Sequence, residues 1–132
     1  MSTLAALLGR AWDLGAVRPG RRPPSGVPLV LVARCTTVSA GRATAAVGAL
    51  ARFGAPVAVV AVTGDGLPEP AEAGYRFRVL EGRVGGIVRV PFIPALRVAS
   101  DPRQVRLPRA ARRALDEIRS LAASFSGPDP SQ

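Results

Sequence analysis

The sequence contains no histidine and no lysine, and Cys35 is its single cysteine. Without histidine there is no Ser-His or Cys-His catalytic pair and no imidazole-ligated metal ion. Without lysine there is no P-loop lysine, no Schiff-base amine and no lysine general base. One cysteine excludes an internal disulfide and a cysteine zinc cluster, and it is typical of a reducing compartment. We therefore expect a protein without catalytic residues, metal ion or cofactor.

Long apolar runs are also missing. No run approaches the length of a transmembrane helix, and the first residues, MSTLAALLGRAWDLG, lack the basic region and the cleavage site of a secretory signal. The length of 132 residues is typical of one domain. The sequence predicts a cytoplasmic protein with no membrane partner.

Positive charge is present as one residue type. All 18 basic residues are arginine, against 9 acidic residues, so the net charge is +9. A GC-rich genome explains this usage, because alanine, glycine, proline and valine are abundant too, and we favour that interpretation. The alternative is an acidic partner, since arginine pairs bidentately with phosphate and carboxylate groups.

Hydrophobic patterning divides the chain into four regions. We predict an N-terminal amphipathic helix within residues 1–14, a Pro/Arg/Gly-rich linker over 15–26, an α/β domain over 27–124 and a disordered tail over 125–132. The predicted strands are 27–33, 57–63 and 85–94, the last ending at Pro91. The predicted helices are 3–13, 40–53, 69–81 and 108–124, of which 69–81 also permits an extended interpretation.

Strands that alternate with helices predict parallel pairing through crossover connections. The expected fold is an α/β, small Rossmann-like three-layer sandwich of about three parallel strands with flanking helices. Three strands are fewer than usual, which indicates a half-domain or an edge completed by another chain.

Small polar and apolar residues predict how the helices begin and pack. Ser39 or Thr37 is expected to cap the helix over 40–53, and Gly54 to end it. Its buried stripe is predicted as Ala43, Ala46, Val47, Leu50 and Phe53. The inward residues of the next helix are predicted as Ala73, Phe77 and Leu80. In the last helix, which Pro108 begins, they are Ala111, Leu115, Ile118, Leu121 and Ala122.

Ligands of open α/β sheets bind beyond the carboxyl ends of the strands, so the residues there are candidates for a site. Cys35 follows the first strand, but six residues separate it from Arg42, one more than in the phosphatase pattern of Cys, five residues, Arg. With no base or orienting partner, it is better interpreted as a small strand-end residue. Asp65, Glu69 and Glu72 lie in or near a Pro-rich loop and are predicted to be solvated charges.

Basic residues cluster before and within the last helix. They are Arg103, Arg106, Arg109, Arg112 and Arg113. One interpretation is a solvated face in which Asp116 and Glu117 pair with Arg112 and Arg113. The other is a contact surface for an acidic partner or nucleic acid.

The N-terminal helix carries an apolar stripe, formed by Leu4, Leu7, Leu8, Ala11 and Trp12. We expect this stripe to cover an exposed face of the sheet, with docking on a partner as the alternative. Its few charges do not favour membrane binding.

Residues 27 to about 100 resemble the C-terminal half of MinD/ParA-type P-loop ATPases. The resemblance lies in LVLVARCTTVSAGRATAAVGAL, a strand with a Thr-rich turn and a helix, then the buried strand VAVVAVT, then GGIVRVPFIPALRVAS. The family's P-loop and switch carboxylates lie in the half that has no counterpart here. Thr63 stands where the family usually has an asparagine that helps to hold the base, and the segment from Pro91 to Ile93 borders that base.

The resemblance implies a degenerate or half-length relative without hydrolytic activity. We expect a non-catalytic scaffold or regulatory module that acts by association with another protein or with itself. The alternatives are an Arg-rich nucleic-acid-binding accessory protein and a pseudo-ATPase with residual nucleotide binding at Thr63, Pro91 and Phe92.

Overall fold

The computed structural model describes residues 28–93 and 105–125. The elements in these two ranges are β1 (Leu29–Arg34), α1 (Thr37–Arg52), β2 (Val57–Thr63), α2 (Ala71–Glu81), β3 (Gly86–Val90) and α3 (Arg109–Ser124). The predicted helix 3–13, the linker 15–26, Arg103 and nearly all of the tail 125–132 lie outside the described residues.

The three strands form one parallel sheet in the order β1-β2-β3. Val57–Thr63 is fully apolar apart from its last residue, as expected of a strand that is flanked by strands and covered on both faces. Every residue of β2 from Val57 to Val62 is buried. The predicted class, a small α/β Rossmann-like fold with about three parallel strands, is confirmed.

Two helices cover one face of the sheet. The buried stripe of α1 (Ala40, Ala43, Val47 and Leu50) and that of α2 (Ala73, Phe77 and Leu80) pack with Ala33 and Cys35 and with Val57, Val60 and Val62. The inward residues predicted for α2 are confirmed, and so is its helical state.

One helix covers the opposite face. Ala114, Leu115 and Ile118 of α3 pack with Ala58, Val59 and Ala61 of β2 and with Val88 and Val90 of β3. Ala111, Leu115 and Ile118 are buried as predicted, whereas Leu121 and Ala122 are partly buried. Among the described residues, two helices thus lie on one side of the sheet and one on the other.

The predicted start and stripe of α1 were partly wrong. The cap is Thr36, neither Ser39 nor Thr37: its hydroxyl oxygen accepts from the N–H of Ser39 at 3.1 Å. Phe53 is 45 % exposed because the helix ends at Arg52, before Phe53 can continue its buried stripe. Ala46 is only partly buried, because it lies at the margin of the stripe formed by Ala43, Val47 and Leu50. Gly54 follows with a φ of 71°, in agreement with the predicted stop.

The other element boundaries shift by a few residues. β1 begins two residues later than predicted and ends one later, and β3 is shorter, because it ends just before Pro91. Pro108 is the N-cap of α3 and not its first helical residue, and no side chain caps this helix.

Candidate functional site

The turn after β1 is built by short-range polar contacts. The N–H of Arg34 donates to the hydroxyl oxygen of Ser39 at 2.8 Å, and Thr36 caps α1 through the N–H of Ser39. The N–H of Cys35 donates to the carbonyl oxygen of Thr63 at 3.2 Å, which extends the pairing with β2 by one residue. The turn is thus tied both to α1 and to the end of β2.

Cys35 has a carboxylate partner that its sequence position did not predict. Its buried thiol lies 3.5 Å from Oδ1 of Asp65, which follows β2. The signal available in the sequence was position alone, since Cys35 directly follows β1 and Asp65 is the second residue after the neighbouring parallel strand β2. The carboxylate is the thiol's hydrogen-bond acceptor, and the chain has no histidine or lysine to complete a nucleophilic pair.

Asp65 itself is exposed and held in place by the loop that contains it. Its Oδ1 accepts from the N–H of Leu67 at 3.0 Å. This bond holds the pKa of Asp65 below its ordinary value of 3.8, and the thiol of Cys35 and the charge of Arg34 act in the same direction. Asp65 therefore works as a local acceptor for the loop and for Cys35.

The other two acids near this loop pair separately. Glu69 contacts Arg89 of β3 at 3.2 Å, and Glu72 contacts Arg76 one turn further along α2 at 3.0 Å. The structure brings neither of them to Asp65, so no paired-carboxylate site forms from these residues. An open cleft between α2 and β3 is lined by the Glu69–Arg89 pair and by Phe77 and Ile87.

The three residues proposed for nucleotide contact lie near the carboxyl ends of β2 and β3. Thr63 pairs in register with Val90, directly before Pro91, and its hydroxyl donates to the carbonyl oxygen of Ala33 at 3.3 Å. The ring of Phe92 lies against Gly66, where a Cβ atom would stand 3.1 Å from it. Gly66 also has a φ of 88°, which favours glycine.

The basic residues of α3 are exposed and largely unneutralised. Asp116 pairs with Arg119 at 3.0 Å, so the predicted pairing of Asp116 and Glu117 with Arg112 and Arg113 is not observed. Within the described ranges, no ion pair is formed by Arg106, Arg109, Arg112 or Arg113. Arg109, Arg112 and Arg113 stand in the first turns of α3, where the helix dipole adds positive potential to theirs.

The outer edge of β1 is the second exposed feature. Because the N–H of Cys35 and the carbonyl of Ala33 point toward β2, alternation directs the backbone groups of Val30 and Val32 to the other side. The outward N–H of Arg34 donates to the hydroxyl oxygen of Ser39 and is therefore already satisfied. In the part of the chain that the structure describes, no strand pairs with this edge.

Comparisons with known proteins give no relative. No family model matches the sequence, and neither the curated proteins nor the solved structures contain a significant match. Within 28–93 and 105–125, no cluster of three or more potential metal ligands occurs. No helix in those ranges has the length and apolar character required to cross a bilayer.

Proposed function

We propose that the chain is a non-catalytic scaffold or regulatory module that associates with another protein along the outer edge of β1. The observation that carries this proposal is the character of that edge. Leu29–Arg34 has the sequence of an interior strand, with a single charge at its end, and yet its described pairing is to β2 alone. Natural edge strands usually carry charges, prolines or bulges along their length, because an open apolar edge recruits another strand.

The proposal agrees with the descent that the sequence suggested, from the C-terminal half of a MinD/ParA-type ATPase in the cytoplasm. A half-sheet of three parallel strands is small, and parallel sheets are normally enclosed on all sides. A partner strand on β1 would enlarge the sheet and satisfy the outward backbone groups of Val30 and Val32. The partner is then another protein or a second copy of this chain.

A proline scan of β1 tests the proposal. Val32→Pro removes an N–H that points outward and leaves the bonds to β2 in place, so the fold should persist while association is lost. Val32→Ala changes the same side chain but keeps the N–H, and it should associate as the wild type does. Ala33→Pro removes an N–H directed at β2 and should instead lower stability.

Association is measured by sedimentation of the full chain at increasing concentration and by retention of a defined partner from the source cells. The proposal requires that Val32→Pro alone loses association while its circular dichroism stays native. It fails if the wild type is monomeric and retains no partner, or if Val32→Pro associates as well as Val32→Ala does.

A second candidate function is binding of nucleic acid through the basic face of α3. The observation in its favour is that Arg106, Arg109, Arg112 and Arg113 have no ion-pair partner in the described residues. Guanidinium groups that are not neutralised within the protein remain available to phosphates.

Matched charge variants test this second function. The triple variant of Arg109, Arg112 and Arg113 to glutamine should weaken binding to duplex or single-stranded DNA. A control that replaces Arg42, Arg52 and Arg78 by glutamine removes the same charge from the other layer and should bind more tightly than the first triple variant. Binding that does not weaken as salt rises, or that falls equally in both variants, contradicts a specific basic face.

A further inference from the structure

The described helices cover the two faces of the sheet unequally, and the less covered part is the α3 face of β1. Ala33 and Cys35 pack with α1 and α2, so alternation places Val30 and Val32 on the opposite face, the face of α3. There Val30 is only partly buried and Val32 is 49 % exposed. Val88, which stands in register with Val32 across β2, is buried under α3, and so is Val90 on the same face of β3.

Helix width explains this gap. A helix with its side chains is about 10 Å across, whereas strands are about 4.8 Å apart, so one helix covers about two strands. α3 lies over β2 and β3: a Cβ atom on Gly86 would stand 2.8 Å from Leu121. The flank of α3 opposite Leu121, which carries Arg112, Asp116 and Arg119, therefore faces β1. Val30 packs only at the margin of the α3 cluster and Val32 is 49 % exposed, and we call the surface above these two side chains the β1 slot.

The chain has a segment of matching length and character. Residues 3–13, outside the described residues, carry the apolar stripe Leu4, Leu7, Leu8, Ala11 and Trp12. As a helix these 11 positions would extend about 16 Å, close to the length of about 20 Å for six residues of β1. Residues 14–27 reach up to about 45 Å when extended, enough to return from the start of β1 to its face.

We propose that residues 3–13 dock through this stripe into the β1 slot and complete the second helical layer of the sandwich. The contact is made on the face of β1. It leaves the outer edge of the strand, with the backbone groups of Val30 and Val32, accessible. This inference does not depend on the proposed function, since a helix on the face of a strand and a partner strand on its edge occupy different surfaces.

Trp12 reports on this contact because it is the only tryptophan of the chain. In the full chain we expect blue-shifted emission and protection from acrylamide. Val32→Asp should shift the emission to the red and remove that protection, whereas Val79→Asp, on the exposed side of α2, should leave both unchanged. Val32→Thr keeps the β-branched shape and should cause a partial loss, so a folded variant remains even if Val32→Asp weakens the fold.

A reciprocal substitution identifies the occupant. If Leu8 and Val32 are in contact, Leu8→Asp should expose Trp12 to the same extent, and the double variant should expose it no further. The proposal is overturned if Trp12 of the wild type is already quenched like a solvated indole. It is equally overturned if Val79→Asp has the effect of Val32→Asp, or if the protection is lost on dilution, which indicates that a second copy fills the slot.

Discussion

The two outer strands of the sheet, β1 and β3, differ in how their edges are protected. β3 (Gly86–Val90) carries Arg89, which Glu69 holds through two contacts of 3.2 and 3.3 Å, and Pro91 follows it directly. β1 (Leu29–Arg34) has five apolar residues in succession before its one charge. Charge and proline are the usual means by which an edge strand avoids unwanted pairing. Both strands have a proline beside them, Pro28 before β1 and Pro91 after β3, but only β3 has a charge inside the strand rather than at its end.

The same two strands differ in the cover of their faces. On the α3 side, Val88 is 3 % exposed and Val32 49 % exposed. On this face α3 therefore covers β3, whereas the described residues leave the side chain of Val32 on β1 half exposed. This difference is the reason why we propose that further contacts are made at β1.

The largest expected effect is a loss of stability when a valine on either strand is replaced by alanine, which removes the same two methyl groups in both cases. Val88→Ala should lower the free energy of unfolding by about 2–3 kcal/mol, because two methyl groups leave a closed core and a cavity remains. Val32→Ala should cost less, about 1 kcal/mol, since the described residues leave 49 % of this side chain uncovered and only the docked residues 3–13 add to its cover. Urea denaturation of the full chain measures both, and equal losses would show that β1 is as enclosed as β3.

A smaller effect is expected where β1 leaves the sheet. Thr36→Ala should cost about 1 kcal/mol, because the hydroxyl that accepts from the N–H of Ser39 is lost from the start of α1. Thr37→Ala is the matched control, since Thr37 is the first helical residue and does not cap. Thermal or urea unfolding compares the two variants. A cap at Thr37 would instead make its substitution the more costly one.

The protection of β3 can be removed with little loss of stability. Arg89→Val breaks an ion pair whose arginine is 55 % exposed, so the cost should be about 0.5 kcal/mol. The altered strand, however, has an apolar edge like that of β1, and sedimentation should detect association that the wild type lacks at that edge. Arg78→Val, in the same cleft but on α2, is the control. Equal association of both variants would mean that surface hydrophobicity alone, and not the edge, is responsible.

Sequence patterning was sufficient for the elements and their order. Val57–Thr63 was predicted to the residue, because a continuous apolar run has one stable position, between strands and under helices on both faces. The stripe Ala73, Phe77 and Leu80 also followed from helical periodicity. These features depend on burial, which the order of apolar residues encodes directly.

The polar contacts of the candidate site could not be derived in the same way. Thr36, Thr37 and Ser39 are all competent caps, and the choice depends on where the chain leaves β1. The contact between Cys35 and Asp65 joins residues 30 positions apart and depends on the register of β1 with β2. Nothing in their spacing indicates it. Asp116 likewise has three arginines at helical spacing, Arg112, Arg113 and Arg119, and spacing alone does not select Arg119, with which it pairs.

The smallest expected effect concerns Asp65, which joins the β1 side to the loop after β2. Its pKa in the folded protein is lowered, chiefly by the N–H of Leu67, so its stabilising contribution is complete above the unfolded value of about 3.8. That contribution is lost as the pH falls through the folded pKa. In Asp65→Asn the free energy of unfolding should therefore decrease less steeply as the pH falls below this value. Near neutral pH its dependence on pH should be unchanged. Glu81→Gln is the control, because Glu81 is exposed and has no ion-pair partner among the described residues. This variant should keep the wild-type dependence of the free energy of unfolding on pH. An unchanged pH dependence in Asp65→Asn would show that the bond to Leu67 does not persist in solution. The ends of β1 and β2 would then be joined by their backbone pairing and by the bond from the Thr63 hydroxyl to the carbonyl oxygen of Ala33.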